Sequence, residues 1–531
     1  MKRSLFLILI FFLPGSATFA QFNPEPESIS AKFFSDSLLK GWRIETPAFR
    51  KKNGFTTYLE MMDFLQAKTK ERKDLISMEM IGKSRQEKSI PMVLISNPKV
   101  TVKKVRVWMQ GGLHGDEPAG TESLLYLISR FAGAEDLHYL LNKIELAIVP
   151  MANIDGYEKQ SRENAVGKDL NRDQTSLREP ETVALKKAWA RFAPEVSLDL
   201  HEYRPYRKDF TRFGRAGITS PYDVMFLYSG NLNVPEDLRN FTREKFVEPA
   251  RRILEADPCR FRVNDYISTQ KYGSEVHFHL GSVHARSSAS NWALGNCIST
   301  LLEVRGVGIG RKSFKRRTYS GWTVALTYMN SAFSNDFSIK TLLAETHQDT
   351  KPVVVISERK MRNDSLLVID LDTEKEIKMP VIIHDALQSY PVLSRERPFA
   401  YLLDKKEKKA AEKMRILGLQ VDSLSAALET EAESYQVPGW GNESSEDDDV
   451  QNDEDESKKV LENGQVKKIT QIFPAGTFVI PLRQDKGNLV CELLEPENPN
   501  GFLAMKVIRF SGASKKADYP VYRVMKPIPT K

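Results

Sequence analysis

Between residues 104 and about 343, short uninterrupted apolar runs alternate with stretches whose apolar positions recur at helical spacing. The runs fall at 105–109, 144–150, 196–200 and 297–302, and helical stretches at 122–131 and 181–192 lie between them. Continuous apolar runs without alternation are the pattern of strands buried on both faces, and intervening helices are the crossovers such strands need. The pattern therefore predicts an α/β fold, with parallel strands buried on both faces by crossover helices. It is preceded by a helix over 54–65 with Tyr58, Met61, Met62 and Leu65 on one face.

Beyond residue 351 the texture changes to β-rich runs at 353–356, 366–369 and 379–383, with a helical stretch over 406–417. Further β-type runs are expected at 478–481, 489–494 and 505–510. Between them Glu443 to Glu456 holds nine acidic residues and no basic one, a composition too polar and self-repelling to order itself. The expected organisation is an α/β domain over 21–345, an accessory region over 350–440, an acidic insertion over 441–459 and a β-rich end over 460–531.

The first twenty residues stand apart. Lys2 and Arg3 precede a nine-residue apolar run, followed by Pro14, Gly15 and a small-residue site ending at Ala20. This reads as a cleavable signal peptide, since about 20 apolar residues are needed to span a bilayer. An exported protein, periplasmic or extracellular and without a membrane span, is expected. Three well-separated cysteines, Cys259, Cys297 and Cys491, exclude a disulfide framework and a thiolate metal site. Any metal must be held by histidine and carboxylate. The basic cluster Arg311, Lys312, Lys315, Arg316 and Arg317 reads as a solvated rim, with no nucleic-acid partner.

Candidate chemistry gathers after the carboxyl ends of the predicted strands, where open α/β sheets bind ligands. The run 105–109 leads into a glycine-rich loop containing His114 and Glu117, an imidazole and a carboxylate suited to one zinc ion. The run 196–200 delivers His201 as the third ligand, with His277 and His279 as reserve ligands or substrate contacts. Arg162 and Asn171–Arg172 follow the run 144–150, and guanidinium groups beside a metal would bind a carboxylate and stabilise an oxyanion. Glu303 closes an apolar run, a costly position for a carboxylate unless it is paired or working, and a general base beside a metal-polarised water is such work.

The ordered segments GGLHGDEPAG, NIDGYEKQSRENAVGKDLNRD, EPETVAL, SLDLHE and TLLEVRG resemble the zinc carboxypeptidase family of the carboxypeptidase A type, over roughly residues 45–345. The resemblance implies a mixed, mostly parallel sheet flanked by helices, and zinc held by His114, Glu117 and His201, with Glu303 as general base and acid. Arg162 would stabilise the oxyanion, Asn171 with Arg172 would hold the substrate's terminal carboxylate, and Asp169 would orient His114. The family's substrate-capping tyrosine has no counterpart in GSVHARSSASNWALGN, where His284 or Arg286 falls instead, and Ser288 or Ala289 near the pocket floor announces no side-chain preference. The expected activity is hydrolysis of C-terminal peptide bonds in peptides with a free C-terminus. The rivals are a zinc amidase or endopeptidase acting on cell-wall peptides or acyl-amino acids, and a non-catalytic binding module.

Overall fold

The computed structural model describes residues 25–346, 350–436, 440–443, 458–461, 465–508 and 519–528. The leader at 1–20, residues 444–457 of the acidic run and His347 lie outside the described residues. Thirteen strands build the two sheets that shape the site. In chain order they are β1 (Ile76–Lys83), β2 (Ser89–Ile95), β3 (Val105–Gly111), β4 (Ile144–Val149), β5 (Val196–Tyr203), β6 (Ile218–Thr219), β7 (Val224–Tyr228), β8 (Val263–Asp265), β9 (Ile267–Tyr272), β10 (Glu275–Leu280), β11 (Ile298–Arg305), β12 (Val353–Asp370) and β13 (Lys375–Arg395).

The larger sheet runs β1-β2-β4-β3-β5-β11-β7-β8. Its centre, β4-β3-β5-β11, is parallel as the apolar runs predict, while the β1-β2, β2-β4 and β11-β7 pairs are antiparallel, so the sheet is mixed as the resemblance implies. Every residue of β5 and β11 is buried, which is why these strands read as runs rather than alternations. Alternation of side chains sends Leu200 and Leu302 to one face and Asp199 and Leu301 to the other. The long helix Phe314–Ser334 and the helix Pro118–Gly133 pack together, and the short helix Ser288–Leu294 brings Ala289 against Leu227 and Leu301. Each fully buried aliphatic side chain contributes about 1.5–3 kcal/mol.

Several local readings change. The helix expected over 54–65 is Tyr58–Glu71, starting later because Thr57 and Glu60 form a reciprocal capping box. The run 489–494 is a buried helix, Gly487–Leu494, and not a strand, since a short apolar run fits either when both are buried all round. Residues 505–508 form no strand. The runs at 353–356, 366–369 and 379–383 belong to one long hairpin, β12–β13. That hairpin joins a second sheet, β6-β12-β13-β10-β9, so strands from both sides of residue 345 share it. A third, six-stranded sheet built from Ala400–Leu403, Phe478–Pro481, Val521–Val524 and three further strands ties the end of the chain together. The three cysteines are buried and unbridged.

The basic cluster is not a solvated rim. Arg316 pairs with buried Asp223, Arg317 with buried Glu202, and Arg311 lies over the rings of Phe314, Phe49 and Phe55. Arg305 of β11 is buried as well. Its guanidinium reaches Glu25 of the N-terminal segment.

Glu122, buried in the helix Pro118–Gly133, accepts hydrogen bonds from the hydroxyls of Thr46 and Thr56. Burial pushes its carboxyl up to about 7, against the hydrogen bonds. A raised folded-state pKa means that the fold holds the proton more tightly than the unfolded chain, so stability falls as pH rises from about 4.5 to about 7. The loss expected from this group is on the order of 3 kcal/mol. Glu122→Gln should flatten that part of the stability–pH curve in denaturant titrations and leave the variant the more stable protein at pH 8. An unchanged curve would remove the assignment.

Candidate active site

The loop after β3 crosses directly over the backbone at Gly156. A Cβ on Gly115 would sit 2.0 Å from the Gly156 carbonyl carbon, so only glycine lets His114 approach the segment that follows β4. Gly112 takes φ +62°, the left-handed region, and turns the chain out of the strand. Three residues beyond Gly115 the helix begins with Pro118 at its first position, which leaves Glu117 on the helix's N-terminal edge, pointing back at His114.

His114, Glu117 and His201 converge. Their ligand atoms lie within 4.8 Å of one another, and they form the one such group of metal-capable side chains among the described residues. Nδ1 of His114 is 2.7 Å from Oε1 of Glu117 and 3.1 Å from Nδ1 of His201, and Oε2 of Glu117 is 2.8 Å from Nδ1 of His201. Both imidazoles thus aim Nδ1 at one point, and each turns its other nitrogen to a carboxylate. Asp169 Oδ1 lies 3.2 Å from His114 Nε2, and Asp199 Oδ2 lies 3.0 Å from His201 Nε2. The His114–Asp169 hydrogen bond is the outer arrangement that fixes the tautomer of a metal-binding histidine, Asp199 stands beside His201 as an ion-pair partner, and the two-nitrogen, one-carboxylate donor set fits zinc.

Asp169 does more than orient His114. Its Oδ1 accepts the Asn171 N–H at 2.7 Å, and its Oδ2 accepts from Nε and Nη2 of Arg162 at 3.1 and 2.8 Å. Burial works against its charge, but Arg162 and His114 hold the carboxyl well below the usual carboxylate range. Arg162 is thereby pinned along one edge, with Nη1 3.2 Å from His114 Nδ1. Asn171 Oδ1 accepts the backbone N–H of Ser288 at 2.8 Å, and Arg172 lines the same cavity.

Glu303 arrives by register. In the parallel pair β5–β11 it is the residue opposite His201, with Met225 of β7 on its other side. Burial and the neighbouring Glu117 carboxylate push its carboxyl up to about 8, and its buried Oε2 has no hydrogen-bond partner among the described residues. Glu303, Arg162, Asn171 and Arg172 all line one cavity of about 1020 Å³.

His277 and His279 do not join the ligand set: His279 lies with His284 in the cavity wall, where both accept from Arg359. Two residues escaped sequence reasoning. Asp199 sits two positions before His201 on the same strand face, and that spacing was its signal. Glu202 accepts the Ala119 N–H and pairs with Arg317, while its own N–H donates to Glu117 Oε2 at 3.1 Å. No local pattern announces a role that depends on a helix more than a hundred residues away.

Residues 61–206 match the family described as zinc carboxypeptidase. The chain is 26% identical to carboxypeptidase 2 of Trichophyton tonsurans over 83% of its own length and 81% of the relative's. It is also 26% identical to carboxypeptidase D of Mus musculus, over 31% of its own length and 13% of that protein's. Among solved structures, a metallo-carboxypeptidase from Burkholderia cenocepacia is similar at a TM-score of 0.41 with 20% identity, covering 53% of this chain and 70% of the other. The carboxypeptidase A of Helicoverpa armigera has a TM-score of 0.41 with 19% identity, covering 56% and 81%. The family match and the curated relatives both support the zinc carboxypeptidase family of the carboxypeptidase A type. The chain is a zinc metallocarboxypeptidase, a peptide hydrolase.

Proposed function

We propose that the protein is exported and trims residues from the free C-termini of peptides, with His114, Glu117 and His201 holding one zinc ion and Glu303 moving the protons. The observation that carries this reading is the β5–β11 register, which sets a buried, unpartnered carboxylate oxygen of Glu303 beside the converging ligand set. Zinc in that set supplies a Lewis acid that polarises a carbonyl and makes water acidic, with a pKa toward about 7. Glu303 takes the proton of the attacking water and gives it to the departing amine. Arg162, braced by Asp169, offers Nη1 to the developing oxyanion. Arg172 and the amide of Asn171 receive the terminal carboxylate at the mouth of the same cavity.

The side chain of the last substrate residue would meet an apolar patch. Leu301 lies two residues before Glu303 on the same strand face, its register partner Leu227 lies beside it, and Tyr266 packs against both. This supports a preference for aliphatic or aromatic C-terminal residues. Export rests on the leader pattern of residues 1–20, and no helix among the described residues is long and apolar enough to cross a membrane.

The test is a peptide library with free and amidated C-termini, incubated with the zinc-loaded protein and analysed by mass spectrometry. Stepwise, chelator-sensitive loss of apolar residues from free-acid peptides is expected. Arg172→Ala should cut kcat/KM by about 10²-fold or more, since it removes a charged, bidentate partner of the carboxylate. Internal cuts or trimming of amidated peptides would favour an endopeptidase or amidase, and absence of any cleavage would favour a binding module.

A further inference from the structure

Three imidazoles outside the catalytic centre rise from one face of the second sheet. His279 of β10 is the register partner of His384 of β13, and His277 lies two residues before His279. Their rings stack with that of Tyr272 from β9: the Tyr272 and His384 centroids are 5.1 Å apart with the planes 3° from parallel, and those of His277 and His384 are 5.2 Å apart. Within the stack, Nδ1 of His277 lies 2.9 Å from Nε2 of His384. The other nitrogen of His277, Nε2, is 3.2 Å from Oε2 of Glu275. An ionised carboxylate only accepts, so this contact places the His277 proton on Nε2 and turns the Nδ1 lone pair toward His384.

Part of this arrangement recurs in the catalytic centre, where Glu117 adds a third donor. There too, a carboxylate holds the far nitrogen of a histidine while the near nitrogen faces another imidazole nitrogen, 3.1 Å away. His277 and Glu275 also line a second cavity of about 430 Å³, separate from the catalytic one and not bordered by His384, and a two-histidine site completes its coordination with water. A proton shared between His277 and His384 satisfies the pair when no cation is present, and an imidazole-preferring divalent ion can replace that proton.

We propose that His277 and His384, with Glu275 orienting His277, form a second binding site for a divalent ion of the zinc, nickel or copper class. The ion ties β10, from the segment before residue 345, to β13 of the long hairpin after it. Because β10 continues into His279, which lines the catalytic cavity beside Arg359 of β12, occupancy stiffens that wall of the active site.

The experiment uses the full chain, stripped with chelator and titrated with zinc, with bound metal counted by atomic emission and affinities taken from calorimetry. Two equivalents are expected, the tighter at the catalytic set and the weaker, water-completed one at His277 and His384. His384→Ala and the milder His277→Gln should each lose the weaker equivalent while keeping the tighter one, whose retention reports an intact fold. Glu275→Gln should weaken the second equivalent about tenfold. A single equivalent in the unaltered protein would overturn the proposal, as would a second equivalent that survives both histidine substitutions.

Discussion

Glu303→Gln is expected to leave zinc content and peptide binding intact while kcat falls by about 10³-fold or more, roughly 4 kcal/mol of lost transition-state stabilisation. The substitution keeps the shape of the side chain between His201 and Met225 and removes only its ability to take up and release a proton. A second readout separates this from a structural defect. In the metal-free protein, burial and Glu117 push the Glu303 carboxyl up to about 8, so at pH 7 it holds a proton. The positive charge of zinc favours the carboxylate, and zinc uptake at pH 7 should therefore release a proton from this side chain. Calorimetry in buffers of different ionisation enthalpy should show a smaller release for Glu303→Gln than for the unaltered protein, the difference fading above pH 8, where Glu303 is already ionised. Turnover within tenfold of the unaltered protein would take Glu303 out of the proton-transfer role.

The parts of the molecule legible in the sequence are those whose physics is local. Strands β3, β4, β5 and β11 announce themselves because burial on both faces forces uninterrupted apolar runs. His201 and Glu303 stand out because each interrupts such a run near the carboxyl end of its strand, and His114 and Glu117 because they lie in the glycine-rich loop that follows β3. What the sequence hides is long-range pairing. Nothing near Arg317 says that it neutralises Glu202, and the charge run 311–317 looks solvated until the helix Phe314–Ser334 is laid against the sheet. The hairpin β12–β13 is hidden for the same reason: its runs read as strands, but their partners β6 and β10 lie far upstream, and Arg359 reaches the catalytic cavity only through that pairing. The helix Gly487–Leu494 shows the remaining limit, since six buried positions in succession carry no period to read.

His201→Ala tests the ligand assignment from the opposite side to Glu303→Gln. It deletes one of three donors, and if binding free energies of about 10–16 kcal/mol for structural zinc are shared among the ligands, roughly 3–5 kcal/mol of metal affinity should go. Zinc should then be lost on dialysis against a mild chelator, and hydrolysis with it. The cost does not stop at the metal. His201 is the shared cationic partner of two fully buried carboxylates, Glu117 at 2.8 Å and Asp199 at 3.0 Å. Burial opposes the Glu117 charge, and His114 and His201 together outweigh it and hold that carboxyl well below its ordinary range. Without His201 both acids remain in the core with less compensation, which costs about 3–5 kcal/mol where a buried pair is broken. The expected result is thus a protein that is both metal-poor and lower in Tm even when compared metal-free with the metal-free parent. Asp199→Asn, which leaves all three donors in place and disturbs only the orientation of the ring, should weaken zinc by about 10–100-fold and keep measurable activity. If His201→Ala retained a full equivalent of zinc through the same dialysis, the ligand set would have to be sought elsewhere, and the register that puts Glu303 opposite His201 would no longer place a base beside a metal.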